Sequence, residues 1–119
     1  MKNTQPIHRG AVFYVDLGQA DGTSIQAGVR PAVIVSNEKA NRFSSVISIC
    51  GITSRVQTKA KIPTHVFLSG QKTGLNRDSI CLCEQPISIS KDMLLEYITT
   101  LSDEDMERVS DGLRIQLSL

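Results

Sequence analysis

Tryptophan is absent from this 119-residue chain, and only two tyrosines and three phenylalanines stand beside that gap. Valine, isoleucine and leucine therefore have to fill whatever core is built. Excess charge is missing too: 13 lysines and arginines against 12 aspartates and glutamates leave +1. Nothing global advertises a nucleic-acid or membrane partner, so any positive surface must be local. No apolar run approaches the length needed to span a bilayer, and the polar stretch Met1 to Gly10 lacks an apolar signal core. Cysteine is scarce, at Cys50, Cys81 and Cys83. An odd count without a secretion signal points to reduced thiols and a cytoplasmic location. Cys-x-Cys is too tight for the usual zinc spacing, and no metal-ligand cluster or phosphate-cradling glycine loop appears, so neither metal nor cofactor is expected. Cys81 and Cys83, two apart on a strand, share a face and suit small buried apolar positions.

What is present fits one domain over residues 1–119, large enough for a single core. Strands are expected at Ala11–Leu17, Pro31–Val35, Ser45–Ile52, Thr64–Leu68 and Ser79–Cys83. Pro31 is expected as the first residue of its strand, where a missing N–H matters least. Glu84-Gln85-Pro86 is read as an interruption, with extended chain resuming at Ile87–Ile89 and a last strand at Leu94–Thr99. Ser36–Asn41 suits a helical turn capped by Ser36 or Asn37. Gly18–Gly28, polar and with three glycines, reads as a long functional or mobile hairpin loop. Ser54–Pro63 reads as a basic loop and Gly70–Asp78 as a turn-rich one. Ser102 starts a helix, with Asp105 in a capping-box position and three acidic residues in the first turn, where the dipole favours them. Met106, Val109, Leu113 and Leu117 form its apolar face, while Gly112 weakens its interior by about 1 kcal/mol relative to alanine. Several short strands and one terminal helix imply a small twisted sheet or barrel, mainly β with added helices (α+β), and disfavour a doubly wound parallel fold.

Two stretches carry the chemistry. Gly28-Val29-Arg30-Pro31 sets an arginine at the mouth of an apolar strand, and Ile52-Thr53-Ser54 ends the following one with hydroxyls. A guanidinium donates paired hydrogen bonds to phosphate oxygens, and a hydroxyl can orient a nucleophile. Taken alone, Arg30 is equally an ion-pair residue and Thr53 simply a good strand residue. His65 is the obvious acid–base group by intrinsic pKa, but its position at a strand edge suggests it faces solvent, with a structural or binding role ahead of catalysis. Arg55, Lys59, Lys61, Lys72 and Arg77 form either a local positive groove or a solvated basic surface. Glu84 and Gln85 either read base edges or end a strand before Pro86.

These segments recur in a known order. Arg9-Gly10, Phe13-Tyr14-Val15-Asp16-Leu17, Gly28-Val29-Arg30-Pro31, Ile52-Thr53-Ser54, Lys61-Ile62-Pro63-Thr64-His65-Val66, Arg77-Asp78-Ser79, Glu84-Gln85 and the tail Leu101-Ser102-Asp103-Glu104 with its helix resemble the MazF/PemK toxin family of bacterial toxin–antitoxin systems, closest to the Gram-positive MazF branch. The resemblance implies an SH3-like barrel of the CcdB/MazF type with a C-terminal amphipathic helix, assembled as a homodimer. It implies a metal- and ribosome-independent endoribonuclease cutting single-stranded RNA at a short sequence, inhibited by a cognate MazE-like antitoxin. It assigns catalysis to Arg30 and Thr53, and on it RNA contacts are expected at Ser54, Arg55, Lys61, His65, Arg77, Glu84 and Gln85. The chain departs from the family at Ala11, in a longer loop after Leu17, and at Thr73, where relatives carry an aromatic. Leu82 stands where the PemK branch has an arginine, so that branch's catalytic arrangement does not carry over. The rival expectations are a CcdB-like gyrase inhibitor without enzymatic activity and a catalytically dead RNA-binding module.

Overall fold

The computed structural model describes residues 6–19, 21–23, 25–56 and 62–119. Its strands are β1 (Ala11–Asp16), β2 (Val29–Ile34), β3 (Val46–Thr53), β4 (His65–Leu68), β5 (Ser79–Ser90) and β6 (Leu94–Thr100). Its helices are α1 (Glu38–Phe43), α2 (Gly70–Thr73) and α3 (Asp103–Leu117). The strands form one antiparallel sheet in the order β4-β5-β3-β2-β1-β6, mainly β with added helices, as the sequence implied.

Strand alternation sorts the apolar residues onto two faces. Val12, Val33, Cys50, Ile52, Val66, Cys81 and Cys83 pack under Met106 and Val109 of α3. Phe13, Val15, Ala32, Ile34, Ile47 and Ile49 make a second buried cluster on the opposite face, where Tyr97 meets Phe13 edge-on at 5.6 Å between ring centroids. A sheet buries both faces in so short a chain by curling around one of them, the habit of small barrels. The three cysteines are free and buried, the role expected from their spacing. Contact with Cys50, then with Cys83, and then burial push the Cys81 thiol well above its ordinary pKa.

Arg9 shows what one family motif does structurally. Its Nε donates to the Val35 carbonyl at 3.2 Å and its Nη2 to Ser110 Oγ at 2.7 Å, tying the entry to β1 to the end of β2 and to α3. Gly10 follows with φ +97°, and a β-carbon there would lie 3.3 Å from Met106 Cγ. The Arg-Gly pair is thus a clamp between sheet and helix.

Several expectations need correction. Glu84-Gln85-Pro86 does not interrupt the strand, because β5 runs through it for 12 residues. The strand bends instead: Ile52 pairs with Cys81 but Cys50 pairs with Pro86, so Leu82–Gln85 pass opposite Gly51. Pro86 is tolerated at such an irregularity, where the ladder is already broken. Pro31 is the third residue of β2, opposite Tyr14 of β1. Pairing with β3 begins only at Ala32, so the missing N–H leaves no gap in that ladder. Residues 70–73 form a helical turn, with Ser69 Oγ accepting the Lys72 N–H and Gly74 closing it at φ +84°. Asn37, rather than Ser36, caps α1. Ser102 caps α3 as expected, but Asp105 spends a carboxylate oxygen on Arg108 at 2.7 Å. Met106 and Val109 are buried and Leu113 partly so, whereas Leu117 is 53% exposed, because the last turn of α3 runs past the core.

Candidate functional site

The site begins where β2 and β3 end together. Ala32 pairs with Gly51, so the next same-face positions on the two strands are Arg30 and Thr53. Sequence places these residues 23 apart, and antiparallel register makes them neighbours. Arg30 is half-buried, and its Nε donates to the Ala27 carbonyl at 3.0 Å. That bond uses one guanidinium hydrogen and leaves the two terminal amino groups to act as a fork.

The Arg30 side chain lines a cavity of about 190 Å³ with Tyr14, Pro31, Ile52, Ser54, Leu75, Asn76, Arg77, Ser79 and Ile98. Its lining is mixed: Pro31, Ile52, Leu75 and Ile98 are apolar, while Arg30 and Arg77 bring guanidinium groups and Tyr14, Ser54 and Ser79 bring hydroxyls. Thr53 itself is 3% exposed and sits opposite Ile80 of β5. Its Oγ1 accepts the Arg55 N–H at 3.3 Å, so the main chain fixes the hydroxyl. Ser54 and Arg55 are exposed just beyond it.

A second polar group occupies the bend of β5. His65 is not solvent-facing, contrary to expectation: its side chain is 9% exposed, and Nε2 lies 2.8 Å from Glu84 Oε2. His65 pairs with Leu82 across β4 and β5, so the bend brings Glu84 over the same face as the imidazole. Residues 80 and 82 share this face before the bend and 87 and 89 after it, judged by their partners on β3 and β4. The bend therefore absorbs three extra residues, an odd number that shifts the alternation, and consecutive Glu84 and Gln85 both contribute polar groups to it. Gln85 Oε1 accepts the Gln26 N–H at 2.8 Å, which ties the Gly18–Gly28 loop to the strand. That loop is anchored at its base by the Leu17 N–H to the Gly28 carbonyl and the Gly28 N–H to the Gly18 carbonyl.

Sequence reasoning missed Gln26. Its signal was Gly51, an isolated glycine within a strand, which marks close approach by another group. A β-carbon on Gly51 would lie 3.3 Å from Gln26 Cγ and Oε1. Tyr14 and Asn76 were also not singled out, although both line the Arg30 cavity.

The structure thus gathers Arg30, Ser54 and Arg77 in one cavity, Thr53 next to it, and His65 with Glu84 and Gln85 at the β5 bend. Lys72 belongs elsewhere: it lines a separate depression with Phe67, Ser69, Ser102, Glu104, Asp105 and Arg108. Lys59 and Lys61 lie outside the described residues. No helix is long and apolar enough to cross a membrane among the described residues.

Comparison with known proteins bears on the family and the fold. A family model described as PemK-like, MazF-like toxin of type II toxin–antitoxin system matches residues 8–117. The chain is 42% identical over 113 residues to Endoribonuclease EndoA of Bacillus subtilis strain 168, covering 95% of this chain and 96% of that protein. Its fold matches a crystal structure of MazF from Deinococcus radiodurans with a TM-score of 0.77 at 20% identity, over 94% of this chain and 96% of the other. It also matches a mycobacterial endoribonuclease in complex with its cognate antitoxin, with a TM-score of 0.75 at 24% identity, over 98% and 97% of the two chains.

Proposed function

The chain belongs to the PemK-like, MazF-like toxin family of type II toxin–antitoxin systems and is an endoribonuclease toxin; we propose that it cuts single-stranded RNA at a short sequence by attack of the RNA's own 2′-OH. Such attack leaves a 2′,3′-cyclic phosphate and a 5′-OH, and because the substrate supplies its own nucleophile, no metal is needed to activate a water molecule. Catalysis then consists of removing the 2′-OH proton, stabilising charge on phosphorus and protonating the departing 5′-oxygen.

The observation that carries this proposal is the meeting of Arg30, Ser54 and Arg77 in one cavity beside Thr53. Arg30 is assigned to the phosphoryl oxygens. Its tether to the Ala27 carbonyl holds the guanidinium before substrate arrives, and preorganised donors are worth most where water is excluded. With a pKa above about 12 it is a poor base, so charge stabilisation is its role. Thr53 keeps a hydroxyl proton to donate while its oxygen accepts the Arg55 N–H, which suits it to orient the phosphate or the 2′-OH. Arg55, Arg77 and Lys61 contribute phosphate attraction, and His65, Glu84 and Gln85 contact the RNA near the β5 bend.

Two protomers join through their sheets. Exposed Leu95 on β6 and exposed Met93 beside it, on a strand at the end of the sheet order, support that interface. The antitoxin is a MazE-like protein whose segment occupies the RNA groove, supported by the antitoxin-bound structure of the mycobacterial neighbour. The test is incubation of purified protein with a long RNA in excess EDTA, with the ends mapped and chemically typed. Cleavage to cyclic-phosphate ends is expected. No cleavage together with inhibition of gyrase would overturn the proposal in favour of a CcdB-like activity.

A further inference from the structure

The tip of the Gly18–Gly28 loop folds on itself. Thr23 donates its N–H to Asp21 Oδ1 at 3.0 Å, and its hydroxyl accepts the Ile25 N–H at 3.2 Å. Gln26 instead reaches the sheet. Its N–H is held by Gln85 Oε1 on β5 at 2.8 Å. Its side chain lies against Gly51 of β3, in space that a β-carbon there would crowd. The Gln26 side-chain oxygen is buried and has no hydrogen-bond partner among the described residues. The seat therefore rests on the main-chain N–H and on the side chain that Gly51 lacks, rather than on the Gln26 amide oxygen.

The peptide that follows governs Arg30. Its carbonyl, that of Ala27, accepts the Arg30 Nε hydrogen at 3.0 Å. Its N–H, that of Gly28, donates to the Gly18 carbonyl at 2.6 Å. In a trans peptide these two groups point opposite ways across one rigid plane, so whatever fixes the plane aims the carbonyl. Gly28 fixes it from the base of the loop, and Gln26, one residue earlier, fixes it from the sheet. Gly28 alone is a weak brace. It sits at φ +79°, and no described atom lies within 4 Å of where its β-carbon would stand. Without the Gln26 seat the peptide is held at one end only, and the guanidinium tethered to it loses its aim.

We propose that Gln26, Gly51 and Gln85 are positioning residues for Arg30: they form a seat on β3 and β5 that directs the Ala27 carbonyl and, through it, the guanidinium. The proposal rests on the assignment of Arg30 to the phosphoryl oxygens. It gives Gln85 a task in the free enzyme that is separate from any contact with RNA. Gly51 is buried beneath Gln26 and touches no substrate, which makes it the cleanest place to test the seat.

Gly51→Val puts a β-branched side chain, well suited to a strand, where Gln26 lies. Single-turnover cleavage of one RNA oligonucleotide is measured at saturating enzyme, and RNA affinity is measured separately. The rate is expected to fall about tenfold to a hundredfold, the scale of a misplacement of about 1 Å, while affinity changes by less than about threefold. In an Arg30→Ala background Gly51→Val should cost less than about twofold more, because a seat that acts only through Arg30 then has nothing to aim. Gln26→Pro lies in a surface loop and deletes the N–H that Gln85 accepts. It should repeat both results, and it decides the question where circular dichroism shows Gly51→Val to be unfolded. Unchanged rates in the folded variants, or losses that add in full to that of Arg30→Ala, overturn the seat and leave the activity standing. Wild-type rates in Arg30→Ala overturn the role of Arg30 and the seat together.

Discussion

Gly112 of α3 and Cys83 of β5 are packed so closely that a β-carbon on the glycine would lie 2.9 Å from the cysteine Sγ and 3.0 Å from its Cβ. Helix propensity alone marks Gly112 as a weak point, with alanine better by about 1 kcal/mol. Contact reverses that sign. Gly112→Ala is expected to lower stability, since overpacking costs about 1–3 kcal/mol and the neighbouring atoms belong to a buried strand. Thermal melts decide it, and Cys83→Ala in the same chain should recover only part of the loss, since the Cβ at 3.0 Å stays.

Arg30→Ala should reduce the cleavage rate by about a hundredfold to a thousandfold, the scale of losing a preorganised donor at a developing anion. Arg30→Lys should recover little, because an ammonium cannot reproduce the fork. Single-turnover kinetics on one RNA oligonucleotide, with folding checked by circular dichroism, measure both. Near-wild-type rates in Arg30→Ala would remove the arginine from the chemistry.

Thr53 is buried, so its substitutions act on both stability and activity. Thr53→Ser retains the hydroxyl and should keep most of the activity. Thr53→Ala also removes the hydrogen bond from the Arg55 N–H, at about 1 kcal/mol. A rate loss in alanine much larger than that stability loss, with recovery in serine, identifies the hydroxyl as the active feature.

Arg77 lies in the cavity with Arg30 but is assigned only to phosphate attraction. Arg77→Ala should weaken RNA binding by similar factors across sequences and lower the steepness of log affinity against log salt by about 0.7. A change of cleavage sequence in this variant would contradict that assignment.

Glu38 gives a pH dependence whose sign is fixed by geometry. Its carboxylate accepts from Asn41 Nδ2 at 3.0 Å and from the Arg9 N–H at 3.1 Å. The Asn41 bond, outweighing the desolvation that opposes it, and then the Arg9 N–H hold the pKa below its ordinary 4.5. A depressed carboxylate contributes stability that is complete above the unfolded pKa and lost as pH falls through the folded one. The melting-temperature advantage of the wild type over Glu38→Gln should therefore be constant near neutrality and shrink below about pH 4.5. An advantage that persists undiminished at pH 3 would show that the carboxylate charge is not its source.

Much of this was legible in the sequence because β-strands announce themselves through apolar runs and through the glycines and polar residues between them. Val12 to Val15, Ala32 to Ile34 and Ile47 to Ile52 read as strands and are strands. The helix at Ser102 was visible from its cap and its acidic first turn. That Arg30 and Thr53 belong to one site was an expectation from an ordered set of family motifs, because register is a long-range property that no local pattern encodes. Two local rules misled. Proline 86 looked like a stop, yet a strand that is already bent loses no hydrogen bond to it. His65 looked like a solvent-facing edge residue, because its carboxylate partner lies 19 residues away in sequence. Gln26 was hidden in a polar loop and is recognisable only with Gly51 beneath it.

At the far side of the molecule, Arg108 of α3 donates from Nη2 to the carbonyl of Phe67 on β4 at 2.7 Å while also holding Asp105. β4 and β6 are the two ends of the sheet, and this guanidinium occupies a main-chain acceptor that an added strand would need. A sheet with both ends open can grow head to tail without limit. The dimer proposed above, built at β6, would use the same surface on both partners and close after one addition. Arg108 thus leaves the β4 end of the sheet one main-chain acceptor fewer for an added strand.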